Sequence, residues 1–297
     1  MPQKTAADFD PNVLLLFDAY VHGALDRRGF LDKAAKYAVG GVTASMLLDE
    51  LSPKFAEAQQ VAPGDARLKA ERVEYASPQG SGTMKGYLVR PASASGRLPG
   101  VVVVHENRGL NPHIEDITRR IALDGYVAFA PDALTPLGGY PAGGEDEARA
   151  LFQKLDQTKT REDMVAAAQF LRTHALCNGR IGAVGFCYGG GVCNMLATRV
   201  PELLAAVPFY GGPAPAEDVP KIKAQLLIQY AGNDIRVNAS WPAYEAALKA
   251  AGVTYTMHMY PGVEHGFNND TTPRYDKTAA GLAWTRTMEF FAATLRK

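Results

Sequence analysis

The sequence predicts an α/β fold, a mainly parallel twisted sheet with helices on both faces. From about Val61 onward, short β-branched runs alternate with helical patterns. One run, Pro99–Val104, is apolar throughout, as a strand buried on both faces must be. The candidate functional residues also fall just after predicted strands, where open α/β sheets place their ligands.

The elements follow in order. Arg72–Ala76 and Lys85–Arg90 form two strands joined by the turn-rich Ser77–Gly82. Pro99–Val104 is the next strand, Ile117–Leu123 a helix, and Tyr126–Ala130 a buried strand ending at Pro131-Asp132. Helices are expected over Glu145–Leu155 and Arg161–His174, then a strand at Arg180–Gly185 and a helix from Tyr188 to Arg199. Ala205–Tyr210 and Gln225–Tyr230 are further strands. Helix Trp241–Ala251, strand Thr254–Tyr260 and helix Asp276–Leu295 complete the pattern. Ala133–Gly144, with two Pro and four Gly, is expected to form a mobile rim over a pocket.

The 297 residues divide into an N-terminal segment, 1–60, and one domain, 61–297. Lys+Arg and Asp+Glu both total 31, so no net charge draws the chain to nucleic acid. No apolar run approaches the roughly 20 residues that cross a bilayer, so stable membrane insertion is not expected. Three cysteines, Cys177, Cys187 and Cys193, make no disulfide framework and miss the pairing of structural zinc sites.

Two readings of the N-terminal segment compete. Asp26-Arg27-Arg28-Gly29-Phe30-Leu31 resembles a twin-arginine export signal, followed by a weakly apolar run from Ala34 to Leu48. Ala56-Glu57-Ala58 then gives the small residues of a cleavage site before Gln59. On that reading the protein is periplasmic. Alternatively it is cytoplasmic and residues 11–58 form retained amphipathic helices, as the helical spacing of Val13, Leu14, Leu16, Phe17, Tyr20 and Val21 suggests. Asp49-Glu50 within the would-be signal favours retention.

Chemistry concentrates at Gly185-Phe186-Cys187-Tyr188-Gly189. This strand–turn–helix has the G-x-S-x-G nucleophile-elbow pattern with Cys for Ser. The flanking glycines admit neighbouring backbone, and the turn sets the thiol at a helix N-terminus that favours thiolate. The nucleotide-binding alternatives G-x-G-x-x-G and G-x-x-x-x-G-K-[ST] are missing from this turn. Cys177 and Cys193 are read as packing residues.

Asp234 follows the Leu226–Tyr230 strand in a Gly-Asn-Asp turn, and His265 follows Met257–Tyr260. The order Cys…Asp…His is that of the α/β-hydrolase fold. His265 can serve as base and Asp234 can hold its imidazole. His22 and His113 are expected on the surface, His174 at a helix end and His258 within a strand. His105-Glu106 lacks the H-E-x-x-H continuation, so neither a metal site nor a cofactor is expected.

These motifs, with His105-Glu106-Asn107-Arg108-Gly109, Pro131-Asp132 and Glu264-His265-Gly266-Phe267, resemble the dienelactone hydrolase family over roughly Ala70–Lys297. The resemblance implies that Glu106 contacts the resting thiol and is displaced by substrate, and that backbone amides of Tyr188 and Asn107 form the oxyanion hole. A plain Glu106–Arg108 pair is the alternative. Arg108 and Phe267 are the expected substrate contacts. The family arginines that grip a dienelactone carboxylate are replaced by Thr135-Pro136 and Asn269, although Arg108, Arg149 or Arg236 could substitute. The expected partner is therefore a small ester or lactone with altered preference. A non-catalytic ligand-binding role and acyl transfer are the competing readings.

Overall fold

The computed structural model describes residues 4–297. Eight strands form one sheet: β1 (Leu68–Ser77), β2 (Gly82–Pro91), β3 (Leu98–Val104), β4 (Val127–Pro131), β5 (Cys177–Phe186), β6 (Leu203–Phe209), β7 (Gln225–Ala231) and β8 (Tyr255–Tyr260). Their spatial order is β1-β2-β4-β3-β5-β6-β7-β8. β1 pairs antiparallel with β2, and β2 with β4. Every pairing from β4 through β8 is parallel. The sheet is thus mainly parallel, as the alternation of elements predicts.

Side-chain alternation along β3 divides the core in two. Val102 and Val104 join one buried cluster, whereas Val101 and Val103 join the other. The first is covered by α7 (Gln157–Thr173), α8 (Tyr188–Arg199) and α10 (Trp241–Ala250), with Phe152 of α6 (Glu145–Phe152) at its margin. The second is covered by α5 (Pro112–Leu123) and α11 (Lys277–Leu295). A valine strand apolar on both faces is stable only when helices exclude water from each side.

The N-terminal residues build a third, smaller core. α1 (Pro11–Val21) starts with Asp10 capping Asn12 N and Pro at its first position. α2 (Arg27–Ala34) is capped by Asp26, and α3 (Ala44–Leu51) by Thr43. α4 (Phe55–Ala58) precedes the sheet, and the four-residue α9 (Ile235–Asn238) follows β7. Val13, Phe17, Tyr20, Phe30, Leu48 and Leu51 bury one another, and the Phe17, Tyr20 and Phe30 rings lie 5.6–6.4 Å apart.

The run Ala34–Leu48 is not one continuous apolar stretch. A 3₁₀ turn at Ala35–Tyr37 and the left-handed Gly40 and Gly41 break it before α3 begins. Arg27 pairs with Asp146 at 2.9 Å, whereas Arg28 is exposed.

This arm is fastened across the sheet's carboxyl edge. Tyr20 Oη donates to Asp146 at 2.6 Å, and the Arg149 guanidinium lies 3.7 Å from the Tyr20 ring centre. Asn107 Nδ2 donates to the Val21 carbonyl at 2.6 Å. Lys54 N donates to Thr271 O, and Gln60 Nε2 to Asp270 at 2.8 Å.

Because the arm has its own core, Phe30→Ala should loosen it alone. Removing a buried phenylalanine costs about 3–5 kcal/mol. Limited proteolysis should then cut between residues 11 and 51 at much lower protease concentration, while the main thermal transition of the sheet domain stays in place.

Candidate active site

The turn after β5 carries Cys187 at φ 55°, ψ −112°, in the left-handed half of the map. Its backbone is held by Cys187 N donating to Phe209 O at 3.1 Å and by Gly190 N donating to Cys187 O at 3.0 Å. Glycine is obligatory on both sides. A Cβ on Gly185 would strike the Gly189 carbonyl, and one on Gly189 would strike the carbonyls of Val104 and His105. The strain is over-determined by β5, β6 and α8 together, as at other functional turns.

Asp234 caps α9 with Oδ1, accepting from Val237 N at 3.1 Å, and accepts from His265 Nδ1 with Oδ2 at 2.5 Å. The loops that carry them are stitched together. Asn233 Nδ2 donates to Glu264, Asn233 N to Val263 O and Gly232 N to Tyr260 O. Holding Nδ1–H on Asp234 leaves His265 Nε2 directed away, toward the thiol.

The structure therefore brings Cys187, Asp234 and His265 into one site, and it adds a residue expected on the surface. His22, at the C-terminus of α1, is partly buried with Nε2 3.3 Å from Cys187 Sγ. Its ring crosses that of His265 edge-on at 4.7 Å. Nδ1 is 2.8 Å from the Asp18 carbonyl oxygen and 3.2 Å from the Asp18 carboxylate. Arg236 Nη2 also lies 3.0 Å from His22 Nε2. That contact is a hydrogen bond only while the ring is neutral; with His22 protonated toward sulfur the two nitrogens are both donors and merely lie close.

Burial alone would push the Cys187 thiol up, but His22 and His265 outweigh it and bring its pKa down to about 5. Burial would lower both imidazoles, yet the thiolate raises them, helped by Asp18 at His22 and Asp234 at His265. Asp234 is held below the ordinary carboxylate range by His265 against its own burial. Burial raises Cys177 and Cys193 instead, and both are packed in the core. Only Cys187 has the surroundings of a reactive thiol.

Glu106 departs from the contact the family resemblance implies. Its Oε2 accepts from Asn269 Nδ2 at 3.2 Å and lies 3.9 Å from Arg108 Nη1, while Sγ faces the imidazoles of His22 and His265. Burial would raise this carboxyl, but Arg108 and neighbouring cations hold it low. Arg108 is itself buried and donates to Glu145 at 2.6 Å, so it faces carboxylates rather than a cleft. Phe267 is fully buried among Tyr210, Phe209 and Tyr260. Asn107 spends its side chain on the arm, and Tyr188 opens α8.

Other histidines are structural. His105 donates Nδ1–H to the Glu106 carbonyl and accepts from Ala133 N at Nε2, so both ring nitrogens serve backbone. His113, expected outside, is buried beside Asp270 because α5 turns it under the arm. His174 follows α7 and His258 lies in β8, as expected. Asp132 accepts from Leu110 N and Leu134 N, pinning the loops after β3 and β4. Ala133–Gly144 includes a 3₁₀ turn, and its Tyr140 hydroxyl donates to Glu145.

Three further residues escape sequence reasoning. Buried Arg274 lies 3.5 Å from Asp18 and 5.1 Å from the Phe17 ring centre. Asp18 is drawn well below the usual range by His22, His265 and Arg274 despite burial. Tyr210, at φ 35°, places its ring 4.9 Å from that of His265. A cleft of about 240 Å³ opens between α1 and the acid loop, lined by Leu14, Asp18, Asp234, Arg236, His265 and Arg274.

A mainly parallel eight-stranded sheet with a cysteine elbow, an acid after β7 and a histidine after β8 defines an α/β-hydrolase. Residues 84–295 match the dienelactone hydrolase family model, and residues 1–37 match a YqhI-like model. The chain belongs to the dienelactone hydrolase family and is a hydrolase.

Relatives include the hydrolase fragment YghX of Escherichia coli strain K12, 54% identical over 117 residues, or 39% of this chain and 99% of that one. A Salmonella typhi protein bearing the name carboxymethylenebutenolidase is 32% identical over 229 residues, covering 72% of this chain and 84% of its own. Among solved structures, a dienelactone hydrolase-like promiscuous phosphotriesterase from metagenomic libraries superposes with a TM-score of 0.66 at 26% identity. That match covers 77% of this chain and 99% of the other.

The depressed thiol pKa sets a pH dependence. Thiolate is present above the folded pKa of about 5 and is lost as pH falls through it. Iodoacetamide should therefore label Cys187 at a rate that is flat near neutrality and halves near pH 5. Cys177 and Cys193 should stay unlabelled in the folded protein. His22→Ala should move the midpoint upward, and a midpoint unchanged in that variant would remove His22 from the thiolate's support.

Proposed function

We propose that the protein hydrolyses carboxylic esters or lactones through a Cys187–His265–Asp234 triad and a thioester acyl-enzyme. The observation that supports this most is a strained, acidic thiol facing an imidazole whose other nitrogen is fixed on a buried carboxylate. The thiolate attacks the carbonyl carbon, and the oxyanion forms beside the backbone amides of Tyr188 and Asn107. His265 gives a proton to the departing alkoxide as the C–O bond breaks. A water then attacks the thioester, His265 takes its proton, and the thiolate leaves as the carboxylic acid forms.

The substrate class we propose is neutral rather than a small anionic lactone. Asn269 stands where an arginine would grip a carboxylate and is engaged with Glu106. Arg108 and Arg149 are committed to Glu145 and Asp146. We further propose that residues 11–58 remain attached in the working protein, because His22, Tyr20 and Val21 all bond the hydrolase domain.

Cys187→Ala should lower turnover of an aryl acetate by at least about 10³-fold, and Asp234→Asn by about 10²- to 10⁴-fold; near wild-type turnover in Cys187→Ala would refute hydrolysis by this thiol. A panel of matched esters should favour neutral acyl groups over anionic ones in kcat/KM, and the reverse order would overturn the substrate assignment. Intact mass of the protein from fractionated cells should include residues 11–58. A mature chain starting at Gln59 would instead establish cleavage and export.

A further inference from the structure

The arm brings a third ligating atom to the thiol. Cys187 Sγ and one ring nitrogen each from His22 and His265 lie within 4.8 Å of one another. Each ring is anchored by its far nitrogen, His265 Nδ1 on the Asp234 carboxylate and His22 Nδ1 on the Asp18 carbonyl. Metal-binding histidines are held in this way, with the outer N–H given to a carboxylate or backbone carbonyl and the inner lone pair aimed at the ion. A separate observation points the same way. His265 is 6% exposed, and its buried Nε2 has no counterpart other than the Cys187 sulfur among the described residues.

We propose that Cys187, His22 and His265 form a binding site for a borderline-soft divalent cation of the zinc class, completed by the N-terminal arm. One thiolate and two imidazoles suit zinc, whereas magnesium and calcium require oxygen donors. Tetrahedral zinc, with Zn–S about 2.3 Å and Zn–N about 2.0–2.1 Å, sets ligand atoms about 3.3–3.6 Å apart. His22 Nε2 and Sγ already stand at 3.3 Å, so a closing movement of about 1 Å elsewhere in the trio suffices for that geometry. The fourth position is left for water. Any proton shared between Sγ and the imidazoles passes to solvent as the metal binds. The half-exposed Arg236 guanidinium, 3.0 Å from His22 Nε2, swings outward, while Asp18 and Asp234 remain behind the two rings.

Coordinated sulfur is not a free nucleophile, so the loaded form neither alkylates at Cys187 nor turns over esters, and the ion latches the arm onto the domain. The site uses the same thiol as the proposed hydrolysis but does not depend on that reaction.

Cobalt(II) titrated into the full-length chain gives the test. One equivalent should produce a near-ultraviolet thiolate-to-cobalt charge-transfer band with the intense visible bands of four-coordinate cobalt, and zinc should bleach both. Cys187→Ser should lose the charge-transfer band. His22→Ala and His22→Gln, checked for an unchanged thermal transition, should each weaken zinc binding by at least about 10-fold. Zinc should also block iodoacetamide labelling until a chelator is added. Wild-type zinc affinity in both His22 variants, a six-coordinate cobalt spectrum without the charge-transfer band, or labelling indifferent to zinc would each overturn the proposal. Loss of ester turnover alone bears on hydrolysis, whereas the cobalt spectrum of the wild-type chain reads the metal site independently.

Discussion

The placement of Cys187 sulfur between two imidazoles, which favours thiolate over thiol, is the constraint on which the rest of the site depends. Sulfur buried in apolar surroundings prefers to keep its proton, as Cys193 does six residues further on. Reversing that preference takes cations placed where water cannot screen them. His265 comes from the loop after β8 and His22 from the end of α1. Each is steadied by an aspartate that would itself be costly to bury alone. The elbow strain, the stitched acid and base loops and the docked arm are the structural conditions of one charged atom.

The sheet explains why these groups can meet. β5, β7 and β8 run parallel, so their carboxyl ends lie at one edge and the loops leaving them converge. Backbone contacts set the distances. Gly185 and Gly189 let α8 approach β5, and Gly232 brings the acid turn against Tyr260. A Cβ at any of these glycines would displace backbone rather than a flexible side chain.

What was legible in the sequence has a common physical origin. The strands and most helices were recoverable because hydrophobic periodicity is local, and helix Tyr188–Arg199 has the bounds expected of it. The elbow and the two loops carry recognisable short patterns, so Cys187, Asp234 and His265 could be named as a set. His22 could not. Its role depends on where α1 docks, and periodicity shows which side of a helix is apolar without showing what covers it. Arg274 and Asp18 were hidden for the same reason. Glu106 keeps the family's pattern, but its carboxylate accepts from Asn269, a long-range contact that a short pattern does not encode.

His22 and Cys187 are 165 positions apart in the chain, and loops of that length close late and slowly. While the polypeptide is still emerging from the ribosome, residue 187 is an ordinary cysteine with little thiolate at neutral pH. Its low pKa depends on imidazoles brought to the same turn by the first helix and by the loop after β8. The low pKa is thereby a product of completed folding: an unfolded copy carries the same sulfur as a thiol of ordinary acidity, only a few per cent ionised near neutrality.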